Sequence, residues 1–174
     1  MILAIDPGVH HHGLALFKEQ RLIHCGLVRG PAGPPTRRHV PLAVAAGGLA
    51  GRTAEWLDGW GARVVAELPQ DRGQDRVPPA DLIALSVVLG WTLGALAGQA
   101  TLISPADWKG STPKAKHQPR IIAALSAEEA ALIPSGALAH NVIDAIGIGL
   151  WAVGRISGGR KRGVFIEGYA GAQS

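Results

Sequence analysis

The first seventeen residues constrain the fold of this chain most strongly. Residues 2–6 form an apolar run that ends in Asp6, Pro7-Gly8 follow, and a second apolar run begins after Gly13. Two short apolar runs separated by turn residues are typical of neighbouring antiparallel strands. Asp6 would then lie at the end of a strand, beside backbone that can approach a ligand closely. Alternatively, Asp6 only opens an Asp-Pro-Gly turn, because Asp and Pro favour turns for local reasons.

The composition is typical of one folded domain. The chain has 174 residues, 47% hydrophobic and 17% charged, which is enough for one sizeable core. Seventeen basic and thirteen acidic residues give a formal charge of +4, which suits a partner that carries phosphates without requiring one. The single cysteine, Cys25, cannot form an internal disulfide and is predicted to be a small core residue in a reducing compartment.

Two features of the sequence bear on location. No basic segment precedes the N-terminal apolar residues and Asp6 interrupts them, so we expect no secretory signal and a cytoplasmic protein, in a bacterial cell or in the host cell of a virus. Residues 82–106 carry no charge and are long enough to span a membrane. Their glycines and the β-prone run after Thr101 favour a buried helix followed by a buried strand, without a membrane partner.

The order of apolar patterns predicts an α/β domain over residues 1–157. Three β-prone runs at 2–6, 13–18 and 21–28 predict a meander. The rest alternates: helix 42–60, strand 64–67, helix 82–98, strand 101–104, then helices at 120–125 and 138–156. This order favours one mixed sheet with helices on both faces. Residues 158–174, with Arg160-Lys161-Arg162, are predicted to be a basic, flexible tail.

Among the Asp, Glu, Lys and Arg residues of the chain, Asp144 is the only one in the apolar stretch 139–153. A buried, unpaired carboxylate costs several kcal/mol, so it needs a cation, a proton or hydrogen bonds. In one interpretation Asn141 is the N-cap of a helix and Asp144 its third residue, close to free N–H groups. In another, His140 and Asn141 lie one turn before Asp144 and share its face in a metal site. The two interpretations are compatible.

Three acids far apart in the sequence are predicted to converge. Asp6 and Glu67 each end an apolar run, and Asp144 lies near the start of a helix that must pack on the same sheet. Such acids repel one another unless divalent cations neutralise them, and oxygen ligands without cysteine select Mg²⁺ or Mn²⁺. Two such ions, about 3.5–4 Å apart, activate water and hold a phosphodiester for attack. The pattern therefore predicts phosphodiester hydrolysis.

Four motifs carry a family resemblance. They are Ile5-Asp6-Pro7-Gly8-x₄-Gly13, the strand-end Glu67, Pro105-x-x-Trp108-Lys109-Gly110-x₅-Lys116, and Asn141-x-x-Asp144-Ala145. In order and spacing the chain resembles the RuvC-type Holliday junction resolvases of the RNase H-like superfamily, from residue 2 to about residue 155. The resemblance implies a five-stranded sheet in the order 3-2-1-4-5 and a homodimer. It also implies a metal-dependent endonuclease that resolves four-way DNA junctions by paired cuts.

The resemblance also implies metal ligands. Asp6, Glu67 and Asp144 would bind two Mg²⁺ ions per site, with Mn²⁺ as a substitute. The family has a fourth ligand, Asp or His, three residues before the last acid. This chain departs from that pattern, with Asn141 at that spacing and His140 one residue earlier. Either can supply the ligand, and we favour His140 because imidazole is the better donor and can act as a general base.

Several residues are expected to contact DNA. Lys109 and Lys116 match basic positions that the family uses against phosphates, and Lys114 lies between them. The loop after Glu67 lacks the aromatic residue that the family often has there, and Arg72 and Arg76 are expected to contact phosphates instead. Trp108 is expected to stack on a nucleotide. The other tryptophans are expected in the core: Trp56, Trp60, Trp91 and Trp151.

Other interpretations stay open. The same fold and chemistry can serve an RNA-processing nuclease, and Asn141 in place of an acid or histidine is compatible with a nucleic-acid-binding module whose site is degenerate. The histidine run 10–12 most simply faces solvent or DNA, although His10 and His12 can point to the same side of an extended segment and chelate a metal.

Overall fold

The protein is built around one mixed sheet. The computed structural model describes residues 1–30, 42–57, 60–70, 79–96, 100–158 and 164–166. The strands are β1 (Ile2–Pro7), β2 (His11–Lys18), β3 (Arg21–Arg29), β4 (Arg63–Glu67), β5 (Ala100–Ile103) and β6 (Val164–Ile166). The helices are α1 (Leu42–Trp56), α2 (Pro79–Ala95), α3 (Pro105–Trp108), α4 (Lys114–Ala123), α5 (Ala127–Ala130) and α6 (Ala139–Ala152).

The order of the first five strands agrees with the prediction. The sheet has the order β3-β2-β1-β4-β5-β6, with β1, β2 and β3 antiparallel and β1, β4 and β5 parallel. The additional strand β6 pairs antiparallel with β5, where Phe165 lies opposite Thr101. Its three apolar residues lie within the segment 158–174, which was predicted to be a flexible tail. The basic and glycine residues before them led to that prediction, although the three residues themselves are β-prone. Residues 167–174 lie outside the described part of the chain, so the flexibility of the tail stays a prediction.

Helices cover both faces of the sheet, as predicted. On one face α1 and α2 pack over a cluster of buried side chains, which includes Leu3, Leu14, Leu49, Val64 and Val88. On the other face α6 packs against β1 and β2, with α3 and α4 beside it. The core on that face includes Phe17, Trp108, Ile121, Ile146 and Ile148.

The uncharged stretch 82–106 forms most of α2 and all of β5, so the prediction of a helix followed by a strand is confirmed. Within the described ranges, no helix has the length and apolar character needed to cross a membrane. Two tryptophans that were predicted to lie in the core are exposed, Trp60 at 45% and Trp91 at 52%. Trp91 is exposed because α2 is apolar on nearly all sides, while the sheet covers only one of them. Trp60 is exposed because α1 ends at Trp56, so Trp60 lies beyond the helix that was predicted to bury it.

Gly13 allows the closest approach between the sheet and α6. A Cβ atom at this position would overlap the backbone carbonyl of Asn141 and come within 3.0 Å of the Val142 nitrogen. Backbone atoms cannot move aside as a flexible side chain can, so only glycine fits while α6 keeps its position. This contact explains the glycine of the first motif, and it fixes the height of α6 above β1 and β2.

We therefore expect Gly13→Ala to destabilise the protein by about 1–3 kcal/mol, because the methyl group overpacks a backbone contact. Urea unfolding monitored by circular dichroism measures the change. Gly90→Ala on α2 is the matched control, because a Cβ atom there meets nothing within 4 Å. It should leave stability unchanged or raise it by about 0.5–1 kcal/mol. Equal stability of wild type and Gly13→Ala would contradict the close approach of β2 and α6.

Candidate functional site

Three elements bring the predicted acids to one edge of the sheet. Asp6 lies near the end of β1, opposite Gly13 of β2, and Glu67 is the last residue of β4. Since β1 and β4 are adjacent parallel strands, their carboxyl ends lie side by side. Asp144 lies in the second turn of α6, which packs on β1 and β2.

The three carboxyl groups share one electrostatic environment. The pKa of Asp6 is raised well above its ordinary value, first by burial and then by the negative charges of Glu67 and Asp144. Lys109 acts in the opposite direction on the same pKa. Repulsion of this kind falls off with distance and is damped by water, so it indicates three acids close together in partly dehydrated surroundings.

The segment around α3 supplies a donor and a cation to these acids. The indole N–H of Trp108 donates to Glu67 Oε2 at 2.7 Å. Lys109 Nζ lies 3.3 Å from the same oxygen and 3.6 Å from Asp144 Oδ2. The ammonium also lies 4.3 Å from the centroid of the Trp108 ring, within the range of a cation–π contact.

The start of α3 is held by its own hydrogen bonds. Asp107 Oδ2 accepts from both the backbone N–H and the hydroxyl of Ser104, each at 2.7 Å. Gly110, just after α3, has a φ of 60°, a conformation that favours glycine. The helix therefore ends there and the chain changes direction. Trp108 and Lys109 are therefore presented to the acids by a short, anchored turn.

His117 is a site residue that the sequence reasoning missed. Its ring lies edge-on to Trp108 at a centroid distance of 4.7 Å, and Nε2 lies 3.9 Å from Asp144 Oδ1, too far for a hydrogen bond. Within the described chain, neither ring nitrogen nor Asp144 Oδ1 has a hydrogen-bond partner, although all three atoms are buried. Burial lowers the pKa of His117, partly offset by Asp144. Buried polar atoms without partners mark a place where a polar or cationic ligand would be stabilised.

The sequence pattern predicted a helix that begins at Arg120, directly after Pro119. His117 was therefore assigned to the loop before that helix. The helix α4 in fact begins at Lys114 and contains Pro119. The signal that was available is the spacing of His117 and Ile121, which lie four residues apart and are both buried.

The start of α6 differs from one interpretation of the sequence. Leu138 is the N-cap and no side chain caps the helix, so Asn141 is the third helical residue and Asp144 the sixth. The interpretation of Asn141 as the N-cap is therefore wrong. His140 is exposed, with Nδ1 3.1 Å from the Ala137 carbonyl oxygen. Which of His140 and Asn141 is the fourth ligand stays a prediction.

The histidine run lies beside Asn141. The Asn141 side-chain nitrogen is 3.1 Å from His11 Nε2, and the pKa of His11 is lowered, first by burial and then by His10 and His140. His12 does not face solvent or DNA as expected, because it is fully buried in β2. Its Nδ1 accepts from the Gly8 N–H at 3.3 Å and its Nε2 lies 3.0 Å from the Thr92 hydroxyl, so both nitrogens have partners. Burial lowers the pKa of His12 to about 4, and the ring is neutral at pH 7.

The expected DNA contacts have different outcomes. Trp108 has no exposed surface, so it cannot stack on a nucleotide; the Lys109 ammonium lies over its ring, and its N–H donates to Glu67. Lys109 is directed to the acids, and Lys116 is exposed on α4. Lys114 begins α4, but its side chain lies outside the described part, as do Arg72 and Arg76 entirely. Their contacts with DNA stay predictions.

The donor set suits a hard divalent cation. Carboxylate oxygens from three elements, one of them a buried Asp144 oxygen without a hydrogen-bond partner, are the ligands that Mg²⁺ and Mn²⁺ prefer. Among the residues described, no three His, Cys, Asp or Glu side chains lie at the mutual distances of a finished metal site. The three acids lie at one edge of the sheet, with the Lys109 ammonium between Glu67 and Asp144.

Comparison with known proteins gives similarity at the level of structure. No model of a protein family matches the sequence, and no curated protein matches it. The structure of Thermus thermophilus RuvC is similar with a TM-score of 0.59 and 21% identity over 86% of this chain and 90% of that chain. T. thermophilus RuvC in complex with a Holliday junction substrate is similar with a TM-score of 0.63 and 21% identity, over 90% of this chain and 97% of that chain. The fold of this protein is therefore of the RuvC type, within the RNase H-like architecture.

Proposed function

We propose that this protein is a metal-dependent endonuclease that resolves four-way DNA junctions by paired cuts. The observation that carries the proposal is the position of Asp6, Glu67 and Asp144 at one edge of a RuvC-type sheet, where the Lys109 ammonium lies 3.3 Å from Glu67 Oε2 and 3.6 Å from Asp144 Oδ2. The similar T. thermophilus protein was solved with a Holliday junction, which supports a branched DNA as the substrate class. The formal charge of +4 also favours association with phosphates.

In this proposal each residue near the acids has a separate task. Asp6, Glu67 and Asp144 would hold Mg²⁺, or Mn²⁺ in its place. When bound, the ions would supply an activated water and charge stabilisation of the leaving oxygen. Trp108 orients the Glu67 carboxylate through its indole N–H, and burial of that indole prevents the carboxylate from rotating freely. The exposed Lys116 attracts DNA phosphates towards an otherwise acidic pocket.

A cleavage panel tests the proposal. Labelled four-way junctions, flaps, linear duplexes and structured RNA are incubated with Mg²⁺, with Mn²⁺ and with a chelator. We expect symmetric nicks in the four-way junction that need the metal. Preferred cleavage of RNA would favour an RNA-processing nuclease, and metal-independent binding of junctions without nicking would favour a binding module with a degenerate site.

We also infer that the protein acts as a homodimer through α2. Paired cuts on a junction need two active sites at fixed separation, and α2 presents a face with Ile83 at 61% and Trp91 at 52% exposure. Trp91 lines a shallow apolar depression together with small residues of α1 and α2, namely Gly47, Ala50, Gly51, Gly94 and Ala95. Large apolar side chains beside small ones form surfaces that can interdigitate with a second copy.

We therefore expect Trp91→Glu to shift the protein from dimer to monomer, because a buried, unpaired carboxylate would replace an apolar contact. Light scattering coupled to gel filtration measures the mass, and the junction assay should then give single nicks. Leu132→Glu is the matched control, since Leu132 is a similarly exposed apolar residue at 39% but lies near α5. A monomeric wild type, or a dimer that survives Trp91→Glu, would contradict the inferred interface.

A further inference from the structure

Lys109 occupies an unusual position for a residue expected to bind DNA. Its ammonium lies 3.3 Å from Glu67 Oε2 and 3.6 Å from Asp144 Oδ2, so one positive charge bridges two of the three acids. It also lowers the pKa of the third acid, Asp6, against the effects of burial and of the other two carboxylates. The ammonium therefore offsets the repulsion that assembling these acids creates.

A divalent cation bound by the same acids would meet this ammonium. An Mg²⁺ or Mn²⁺ ion on these oxygens would repel a lysine ammonium at ion-pair distance, because like charges interact strongly in partly dehydrated surroundings. Glu67 Oε2 already accepts the Trp108 N–H as well. This oxygen can accept few further ligands, so the Lys109 ammonium and a metal ion compete for the Glu67 carboxylate.

We propose that Lys109 is a built-in counter-ion that a divalent cation displaces when the site is loaded, so that metal binding releases the ammonium towards substrate phosphate. This inference rests on the proposed function, because it assigns a task to Lys109 within the same site. The released ammonium remains a point charge on a flexible stem, which suits a phosphodiester oxygen. Metal loading would thus convert a lysine that neutralises the acids into one that binds DNA.

The surroundings of Lys109 permit this exchange. Its side chain is 19% exposed, so the ammonium can swing towards solvent without opening the core. The adjacent Trp108 cannot follow, because its ring is fully buried and Ser104 and Asp107 anchor the turn. The exchange therefore needs only rotation of one side chain, while the Glu67 carboxylate stays oriented by the indole.

Titration calorimetry with Mn²⁺ alone, without DNA, measures the competition. Lys109→Met keeps the length of the apolar stem and removes the charge. We expect it to bind Mn²⁺ about tenfold more tightly than wild type, since loading no longer displaces a paired cation. The control is Lys18→Met, which removes an exposed charge at the opposite end of β2 and should change Mn²⁺ affinity less than about twofold.

A second measurement uses the unaltered protein. An amine-acylating reagent followed by peptide mass spectrometry reports how accessible each lysine is. Addition of Mn²⁺ should increase acylation of Lys109 several-fold and leave that of Lys18 unchanged. This measurement decides the question even if Lys109→Met fails to fold.

The outcomes separate this inference from the proposed function. Mn²⁺ binding that is equal or weaker in Lys109→Met, or acylation of Lys109 that does not rise when Mn²⁺ binds to wild type, would overturn the competition while the metal site stands. Failure of both wild type and Lys109→Met to bind Mn²⁺ would overturn the metal site and the competition together. Tighter binding by Lys109→Met, with Lys18→Met unchanged, supports the inference.

Discussion

Glu67→Gln and Asp144→Asn should each reduce junction cleavage by on the order of a thousandfold or more, while junction binding is retained. Both substitutions preserve the size of the side chain and remove the negative charge that would hold a divalent cation. Neither residue is expected to contact DNA directly, so the affinity for a junction should change little. Asp6→Asn should behave in the same way, because Asp6 lies at the strand end beside Glu67 and is expected to hold the same cation.

Single-turnover cleavage of a labelled junction measures the rate, and a gel-shift assay with a chelator measures binding. Glu128→Gln is the matched control, since the Glu128 side chain is 79% exposed and pairs with Arg21 away from the site. It should leave both quantities unchanged. If Glu67→Gln and Asp144→Asn lose binding together with cleavage, and their unfolding midpoints fall, these acids have a structural role instead.

Arg155→Met is expected to destabilise the protein by about 3–5 kcal/mol, because it leaves a buried carboxylate without its cation. The Glu129 side chain is only 4% exposed, and its two oxygens lie 2.6 and 2.9 Å from the two terminal nitrogens of Arg155. The same oxygens accept the backbone N–H groups of Leu22 and Ser126, each at 2.8 Å. The pair therefore ties the end of α6 and the start of α5 to β3.

The free energy of unfolding of Arg155→Met at acid pH provides a second measurement. Chiefly through its hydrogen bonds from Arg155, the pKa of Glu129 is lowered to about 2 from an ordinary value of 4.5. A carboxyl group whose pKa is lower in the folded state contributes stability above pH 4.5 and loses it as the pH falls from 4.5 towards 2. In Arg155→Met this loss should be much smaller, so the free energy of unfolding should vary less with pH in that range.

Arg21→Met is the control for the buried pair. Arg21 pairs with Glu128 at 3.1 Å, but their side chains are 68% and 79% exposed, so its removal should cost less than about 1 kcal/mol. Urea unfolding at pH 7 and at pH 3 compares wild type and the two variants. Equal effects of Arg155→Met and Arg21→Met would show that burial of Glu129 does not determine the strength of its ion pair.

Local patterns in the sequence predicted much of the fold. Hydrophobic periodicity predicted the strands and the helices between them, while the strand order 3-2-1-4-5 was implied by the resemblance to the RuvC-type resolvases and is confirmed for the first five strands. The placement of Asp6 and Glu67 follows from the same patterns, since each ends a strand. Val164–Ile166 is different, because three residues carry too little periodicity to indicate a strand before its partner β5 is known.

The surroundings of the acids depend on tertiary contacts that no local pattern reveals. Trp108 lies in a basic stretch that was predicted to be an exposed loop. In the structure it belongs to the four-residue helix α3, and its ring is buried. The ring packs against Gly147, where an added Cβ atom would lie only 2.5 Å from it. The residue after Trp108, Lys109, therefore also points towards the site, where its ammonium contacts Glu67 and Asp144, two acids that are distant in the sequence. His117 reaches Asp144 only because α4 begins before Pro119.

The strand β6 has a consequence for the solution behaviour of the protein. An unpaired sheet edge presents free N–H and C=O groups on which another chain can polymerise, and β6 moves this border from β5 to a strand of only three residues, which is too short to be a good template. The opposite border is β3, which pairs only with β2 in the described part of the chain and carries an exposed arginine at each end, Arg21 and Arg29. A second copy that paired with this border would have to dehydrate these charged side chains, so the border is protected against edge-to-edge association.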